Sequence, residues 1–195
     1  MLIKHIFDYI LALILLIFLV GLIVLLIIIS SFETKQLGLF TQNRVGKKGK
    51  LFKIYKIRTI KGTSKSTITT NRHQVTKIGK ILREYKLDEL PQLFNILKGE
   101  MSFVGPRPDV EGYADKLVGG DRIMLNVKPG ITGPAQLKYR NEEDILSKVK
   151  DPIMYNDTVL WPDKVRINIE YVKNWSFKRD LVYMFKTIIK NKREA

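Results

Sequence analysis

Between residues 83 and 108 the sequence reads REYKLDELPQLFNILKGEMSFVGPRP, with two adjacent carboxylates, Asp88 and Glu89, ahead of an apolar run. Apolar residues recur at helical spacing in that run, which predicts a short helix with one apolar face. Pro91 is tolerated in the first turn of a helix, and Gly99 is a typical helix stop. The pattern therefore places Asp88 and Glu89 at the N-terminal end of a short helix.

The position of these carboxylates favours their ionised form, because the end of a helix offers free N–H groups and a positive dipole. An ionised Asp88 or Glu89 can act as a nucleophile or bind a metal ion, whereas the simplest local role for Asp88 is that of a helix N-cap. The chain has 2 His and no Cys, which argues against a transition-metal site. An oxygen-bound Mg²⁺ is the metal that this pair favours.

The charge is strongly basic and unevenly distributed over the 195 residues, with a formal net charge of +15. Between Glu33 and Glu84 there is no acidic residue, while 14 Lys or Arg residues occur there. Such a field attracts the phosphates of nucleic acids, nucleotide substrates or anionic lipids. No helix-turn-helix pattern and no interleaving of aromatic with basic residues accompanies the charge, so binding of nucleic acid is the less favoured interpretation.

A membrane anchor is predicted near the N-terminus. From Tyr9 to Ile29 the chain has 21 uncharged, mostly aliphatic residues. As a helix they span about 31 Å, close to the thickness of a bilayer's hydrocarbon core. The run is too long for a cleaved signal peptide and no small-residue cleavage site follows it. The basic remainder favours a cytoplasmic domain. A spanning helix and a re-entrant helix both fit this sequence.

Two cations lie on one predicted strand. Residues 51–59 alternate in polarity, which predicts a strand or an extended segment. Lys56 and Arg58 are two positions apart and would share a face, an arrangement that suits the binding of one phosphate group. The alternative is an exposed cationic edge strand that discourages aggregation.

Two arginines flank the carboxylate pair. A helix predicted from Val75 to Tyr85 delivers Arg83 just upstream of it, where it can pair with the carboxylates or with a substrate phosphate. Arg107 lies between Pro106 and Pro108, so its loop is stiff and its guanidinium suits bidentate binding of phosphate.

Several other segments have weaker patterns. Residues 61–74, which include His73, are predicted to be a loop, and residues 128–134 a stiff turn-rich segment. A short helix is predicted near residues 142–149. Residues 177–191 are amphipathic, which predicts either an interfacial helix on anionic lipid or a helix packed on the domain core.

Seven motifs occur together in one order over nearly the whole chain. They are Phe7-Asp8, Thr41-Gln42-Asn43-Arg44, Tyr55-Lys56-Ile-Arg58-Thr59, LDELPQLFN over residues 87–95, KGEMSFVGPRP over 98–108, KPGITG over 128–133 and YVKNWS over 171–176. In this combination the chain resembles the bacterial sugar transferases, the monotopic phosphoglycosyl transferases, in their small form.

The resemblance implies transfer of a sugar 1-phosphate from a UDP-sugar to a polyprenyl phosphate such as undecaprenyl phosphate, with release of UMP. It implies an enzyme of the bacterial cytoplasmic membrane whose active site faces the cytoplasm. The expected fold is an irregular, helix-rich α/β fold. Residues 1–32 would form the membrane anchor, and residues 33–195 the cytoplasmic catalytic domain, which ends in an interfacial helix at about 177–191. Its further partner is a bilayer with anionic headgroups.

The resemblance also assigns roles to residues. Asp88 is the expected nucleophile, and Glu89 supports the site with Mg²⁺. The expected substrate-binding residues are Lys56, Arg58, Arg83, Arg107, Gln42, Asn43 and Arg44.

The chain departs from the family pattern at two places. Val20-Gly21 stands where the family usually has a helix-breaking Ser-Pro, and glycine permits a bend without enforcing one. Pro134 stands where the family usually has tryptophan, which bears on a loop near the substrate or the membrane. An alternative to the enzyme is a non-catalytic scaffold, against which the intact Asp88-Glu89 pair argues.

Overall fold

The computed structural model describes residues 1–62 and 75–190. Most of the predicted loop over 61–74, including His73, lies outside this range. The described part is helix-rich with two small two-stranded sheets, which confirms a helix-rich α/β fold with a long N-terminal helix.

The N-terminal helix α1 runs from Leu2 to Thr34 without a break at Val20-Gly21. It is long and apolar enough to cross a membrane by length and composition, and most of its apolar side chains are exposed. One stripe of the helix is buried, because Ala12 and neighbouring leucines pack on the domain core beside Leu93 and Ile96.

Both ends of α1 contact the rest of the chain. At the first turns, Nζ of Lys4 lies 2.6 Å from Oδ2 of Asp180. At the last turns, the Ser30 hydroxyl donates to the carbonyl of Arg58, and Gly38 N donates to Oγ of Ser31 at 2.7 Å. The helix therefore lies along the domain and does not extend away from it.

The first sheet is an antiparallel hairpin. Strand β1 (Leu39–Val45) pairs with β2 (Leu51–Ile57), with Leu39 opposite Ile57 and Val45 opposite Leu51. A 3₁₀ turn at Lys47–Gly49 joins the strands. This hairpin confirms the predicted strand, although β2 ends at Ile57, one residue before Arg58.

The chain around the carboxylate pair folds as three short elements. Helix α2 (Lys77–Glu84) is followed by a 3₁₀ turn at Leu87–Glu89 and by helix α3 (Gln92–Leu97). The N-cap position of α3 is Pro91, so the alternative role of Asp88 as a helix N-cap is wrong. Gly99 has a φ of 76°, which agrees with the predicted helix stop.

Two apolar residues at helical spacing are more exposed than the pattern predicts. Ile81 in α2 is 53% exposed and Phe94 in α3 is 39% exposed. Both helices are short, so each buries only a narrow stripe on the domain.

The second sheet is a parallel pair that the sequence pattern did not predict. Strand β3 (Ser102–Val104) pairs with β4 (Gly130–Thr132), and Ser102 lies opposite Gly130. The two backbones approach so closely that a Cβ at Gly130 would lie 2.1 Å from the nitrogen of Gly105. Only glycine fits at these positions, which explains Gly105 and Gly130 in the motif segments.

The C-terminal half is helical and irregular. It contains 3₁₀ segments at Ala114–Lys116 and Gly119–Asn126, then α4 (Pro134–Lys138), α5 (Glu142–Leu146), α6 (Pro152–Tyr155), a π-helical segment (Asn156–Leu160), α7 (Trp161–Lys173) and α8 (Phe177–Lys190). Helix α5 confirms the predicted short helix and is shorter than expected.

Helix α8 packs on the domain core, as one of its two predicted roles requires, and it also leaves apolar side chains exposed. Tyr183 and Met184 pack on the domain core, while Leu181, Phe185 and Ile188 are exposed. The exposed apolar side is the side that the amphipathic pattern assigns to a membrane interface.

Candidate active site

The centre of the site is an ion pair between β2 and the 3₁₀ turn. Nζ of Lys56 donates to Oε1 of Glu89 at 2.9 Å. Glu89 is only 7% exposed. A buried charge needs a partner, and Lys56 supplies it because the penultimate residue of β2 reaches the turn that follows α2.

Asp88 lies beside this pair in a different state. Its Oδ1 atom is buried and has no hydrogen-bond partner in the described part of the chain. Burial raises the pKa of Asp88, Lys56 opposes that rise, and the neighbouring Glu89 adds to it. A buried carboxyl oxygen without a partner is unusual in a folded protein, and it is typical of a group that binds a ligand.

The pKa of Glu89 shifts in the opposite direction. Burial by itself would raise it, but the charges of Lys56, Arg107 and Lys86 outweigh burial and lower it from 4.5 to about 2. The pKa values of the two adjacent carboxyl groups therefore shift in opposite directions, because cations dominate at Glu89 and burial dominates at Asp88.

The Pro106-Arg107-Pro108 loop brings a third cation to this centre. Pro106 and Pro108 are buried, whereas the side chain of Arg107 is exposed and its charge acts on Glu89. The two prolines hold the backbone while the guanidinium faces outward. Arg107 is therefore placed to meet a ligand that approaches Asp88 and Glu89.

Residues of β1 hold that loop. Arg44 donates through Nη1 to the carbonyl of Pro108 at 3.2 Å and through Nη2 to Oε1 of Gln42 at 2.7 Å. The backbone nitrogen of Val45 donates to the carbonyl of Asp109 at 2.8 Å. Gln42 and Arg44 thus support the Arg107 loop, and Arg44 has further capacity because its Nε is buried without a described partner.

A further cation near Asp88 is Arg83 of helix α2. Its Nε donates to Oγ1 of Thr59 at 3.0 Å, and its Nη1 lies 3.4 Å from Oε1 of Glu143. Its positive charge also lowers the pKa of Asp88. Arg83 therefore lies near Asp88, but in the described part of the chain its side chain bonds to Thr59 and Glu143 and not to the carboxylate pair.

Two predicted binding residues are not brought to this centre. Arg58 donates from Nε to the carbonyl of Leu37 at 2.9 Å, and its guanidinium lies 5.4 Å from the ring centroid of Phe40. Because β2 ends at Ile57, the alternation that would align Arg58 with Lys56 stops before it. Asn43 is exposed, on the face of β1 opposite to that of Gln42 and Arg44.

Residues 1–193 match the family model described as bacterial sugar transferase. The chain belongs to the bacterial sugar transferase family. It is 34% identical to an uncharacterized sugar transferase, EpsL, of Bacillus subtilis over 97% of this chain and 87% of the relative.

Two relatives whose names state an activity are longer proteins, and this chain matches only part of each of them. The UDP-glucose:undecaprenyl-phosphate glucose-1-phosphate transferase of Escherichia coli is 33% identical over 97% of this chain and 40% of its own length. An N-acetylgalactosaminephosphotransferase of Aeromonas hydrophila, which its name says acts on UDP-N-acetylgalactosamine and undecaprenyl phosphate, is 37% identical over 77% of this chain and 34% of its own length. The protein is accordingly an enzyme of the sugar-phosphate transferase type.

Asn95 lies within the LDELPQLFN motif, and the sequence predicts no role for it in the transferase site. Asn95 is 0% exposed and accepts from the backbone nitrogen of Tyr55 at 3.1 Å. Its Nδ2 donates to the carbonyl of Lys53 and to Oε2 of Glu100, both at 2.7 Å. Asn95 therefore fastens α3 to β2 beside Lys56. The signal was an amide between Phe94 and Ile96 in an apolar helical run, since a buried polar side chain needs partners.

The carboxylates of Asp88 and Glu89 are ligands of the kind that a magnesium ion takes. Within residues 1–62 and 75–190 no group of three or more His, Asp or Glu side chains forms a closed metal site. Mg²⁺ in phosphate-handling enzymes is commonly held by one or two carboxylates together with substrate phosphates. The unpartnered Oδ1 of Asp88, with Glu89 next to it, suits that arrangement.

Proposed function

We propose that this transferase moves a sugar 1-phosphate from a UDP-sugar to a polyprenyl phosphate through a phosphosugar intermediate on Asp88. The observation that carries the proposal is the buried, unpartnered Oδ1 of Asp88 beside an ion-paired Glu89 and an exposed Arg107. The activities named for the relatives support the same reaction class.

In the first step, an oxygen of ionised Asp88 attacks the phosphorus that carries the sugar. The bond between that phosphorus and the bridging oxygen of the diphosphate breaks, and UMP leaves with the electron pair. Phosphoryl transfer depends mainly on positioning and on neutralising charge. Arg107 and Arg83 flank Asp88 and supply positive charge to the phosphates, while Lys56 keeps Glu89 ionised.

In the second step, an oxygen of the polyprenyl phosphate attacks the same phosphorus. The bond to Asp88 breaks, and a diphosphate-linked sugar forms on the lipid. A covalent intermediate divides one difficult transfer between two anions into two steps on one carboxylate.

Mg²⁺ fits this site, where Asp88 and Glu89 would hold it together with phosphate oxygens. When bound, the ion supplies further neutralisation of phosphate charge. The pKa of Asp88, which burial raises, would fall beside a cation, so the nucleophile would become ionised more readily.

We further propose that the enzyme sits on the cytoplasmic membrane with both ends of α1 on the cytoplasmic side. A helix that crossed the bilayer would place one end out of reach of a domain that stays on one face, whereas Lys4 and Ser30 both contact the domain. The exposed apolar side of α8, with Lys178, Arg179 and Lys186 exposed nearby, suits contact with anionic headgroups.

The test is UMP release from a panel of UDP-sugars, with the enzyme in nanodiscs and with polyprenyl phosphate and Mg²⁺. We expect release with at least one donor, and loss of release with a chelator and in Asp88→Asn. The exposed Asp121→Asn is the matched control and should keep activity. Near-normal turnover by Asp88→Asn would exclude Asp88 as the nucleophile.

A further inference from the structure

Asp180 of α8 lies at the centre of a buried polar cluster at the N-terminal end of α1. Its Oδ2 accepts from Nζ of Lys4 at 2.6 Å and from Nε1 of Trp175 at 2.9 Å. Its Oδ1 accepts from the hydroxyl of Tyr171 at 2.7 Å. Asp180 is 2% exposed, so three donors from α1, α7 and the turn before α8 converge on one carboxylate away from water.

The same cluster reaches strand β3 at both of its ends. Lys4 also lies 3.9 Å from Oδ2 of Asp8, which accepts from the hydroxyl of Ser102 at 2.6 Å. The Tyr171 hydroxyl lies 3.3 Å from the carbonyl of Val104. The first and last residues of β3 are therefore both tied to the cluster.

Strand β3 leads directly into the Arg107 loop. Gly105 N donates to the carbonyl of Thr132 at 2.9 Å, and Gly130 N donates to the carbonyl of Pro106 at 2.8 Å. Only Gly105 and Pro106 lie between Val104 and Arg107, so no flexible segment separates the strand from the arginine. A shift of β3 is thus passed to Arg107 along two residues.

We propose that Asp180 is a positioning residue for the transfer reaction. It holds the first turns of α1 and the side of α7 on β3, and β3 in turn sets the place of Arg107 at Asp88 and Glu89. Removal of one partner of a buried ion pair leaves the other charge uncompensated, so loss of the Asp180 charge should loosen this attachment. The inference rests on the proposed function, since it concerns the rate of that reaction.

The test compares Asp180→Asn and Tyr171→Phe with wild type. Asp180→Asn removes the charge that pairs with Lys4, and Tyr171→Phe removes only the hydroxyl that joins Asp180 and Val104. The matched control is Asp163→Asn, because Asp163 also accepts from three donors, Lys138, Tyr139 and Arg166, at 2.6 to 2.7 Å. Asp163 ties α7 to α4 and has no contact in this cluster.

Three quantities are measured: the melting temperature, the single-turnover rate of UMP release from the UDP-sugar without acceptor, and hydrogen exchange at the amides of Gly105 and Gly130, which bond to Thr132 and Pro106. We expect Asp180→Asn and Tyr171→Phe to slow the single turnover on the order of tenfold or more, as small misplacements of binding groups do. Exchange at Gly105 and Gly130 should rise in both variants. Asp163→Asn should leave the rate and this exchange unchanged, even where its melting temperature falls.

A merely structural role would lower the melting temperature of Asp180→Asn and Tyr171→Phe without slowing the single turnover, and that result would overturn the inference. An equal slowing by Asp163→Asn would also overturn it. If wild type releases no UMP from any donor, the proposed function has failed, and the exchange measurement still decides whether Asp180 and Tyr171 hold the Arg107 loop.

Discussion

The side-chain nitrogen of Lys56 lies 2.9 Å from Oε1 of Glu89, and this ion pair joins the end of β2 to the turn that carries Asp88 and Glu89. The contact bridges 33 positions of sequence. It compensates the charge of Glu89, whereas Oδ1 of Asp88 has no hydrogen-bond partner among the described residues, so the two adjacent carboxylates differ in their contacts.

Lys56→Met should leave the buried charge of Glu89 without its ion-pair partner. We expect the free energy of unfolding to fall by about 3–5 kcal/mol, because loss of one partner of a buried pair leaves the other unpaired. UMP release should fall as well. Denaturant unfolding and the release assay measure both effects.

The matched control for that change is Lys53→Met, on the exposed face of β2. Its free energy of unfolding should stay within about 0.5 kcal/mol of wild type, as for most surface substitutions. A loss in Lys56→Met no larger than in Lys53→Met would contradict the role of the ion pair.

The stability of the enzyme in acid should depend on Glu89. Burial would raise the pKa of Glu89, but Lys56 and Arg107 outweigh it and lower the pKa from 4.5 to about 2. A lowered pKa in the folded state stabilises the protein above the unfolded pKa, and that contribution disappears as the pH falls from about 5 to 2. Unfolding at a series of pH values should show a steeper acid loss in wild type than in Glu89→Gln; parallel curves would rule this out.

Asp88→Asn should stabilise the fold while it abolishes transfer. Burial raises the pKa of Asp88, with Glu89 adding to the effect, so the folded state disfavours its ionised form. A raised pKa costs stability as the pH rises through it, and the neutral amide avoids that cost. At pH 7 thermal unfolding should therefore occur at a higher temperature in Asp88→Asn than in wild type, as is common where activity and stability conflict. A lower melting temperature would show that Asp88 is a structural carboxylate.

Asn95→Asp tests how α3 is fastened to β2. The substitution keeps the acceptor for Tyr55 N but removes the donor to the Lys53 carbonyl and places a charge beside Glu100. A buried group left unsatisfied costs about 1–3 kcal/mol, so urea unfolding should show a loss of at least that size. The control is Asn126→Asp at an exposed position, which should change little. Equal effects of the two substitutions would argue against the fastening.

Arg44→Lys tests the support of the Arg107 loop. Lysine cannot bridge the Pro108 carbonyl and Gln42 as the guanidinium of Arg44 does. We expect UMP release to fall on the order of tenfold through misplacement of Arg107. The exposed Arg122→Lys should keep wild-type release. Unchanged kinetics in Arg44→Lys would mean that the two prolines hold the loop without this bridge.

Much of the secondary structure was predictable because its signals are local. The apolar run of α1, the alternating strand β2 and the stop at Gly99 each depend on neighbours a few residues apart. The parallel pair of β3 and β4 was not predictable, since two three-residue strands 26 positions apart carry too little pattern to indicate pairing. Arg58 shows the related limit, because alternation cannot tell where a strand ends.

The sequence by itself determined the family, the membrane-compatible helix and the residues that carry charge in the site, because composition, spacing and motif order are properties of the chain alone. The tertiary structure decided which of these residues meet. It paired Lys56 with Glu89, left Oδ1 of Asp88 without a partner among the residues that the structure describes, and turned Arg58 toward Leu37. These outcomes depend on contacts between distant segments, and the pKa values of Asp88 and Glu89 move in opposite directions only once those contacts have formed.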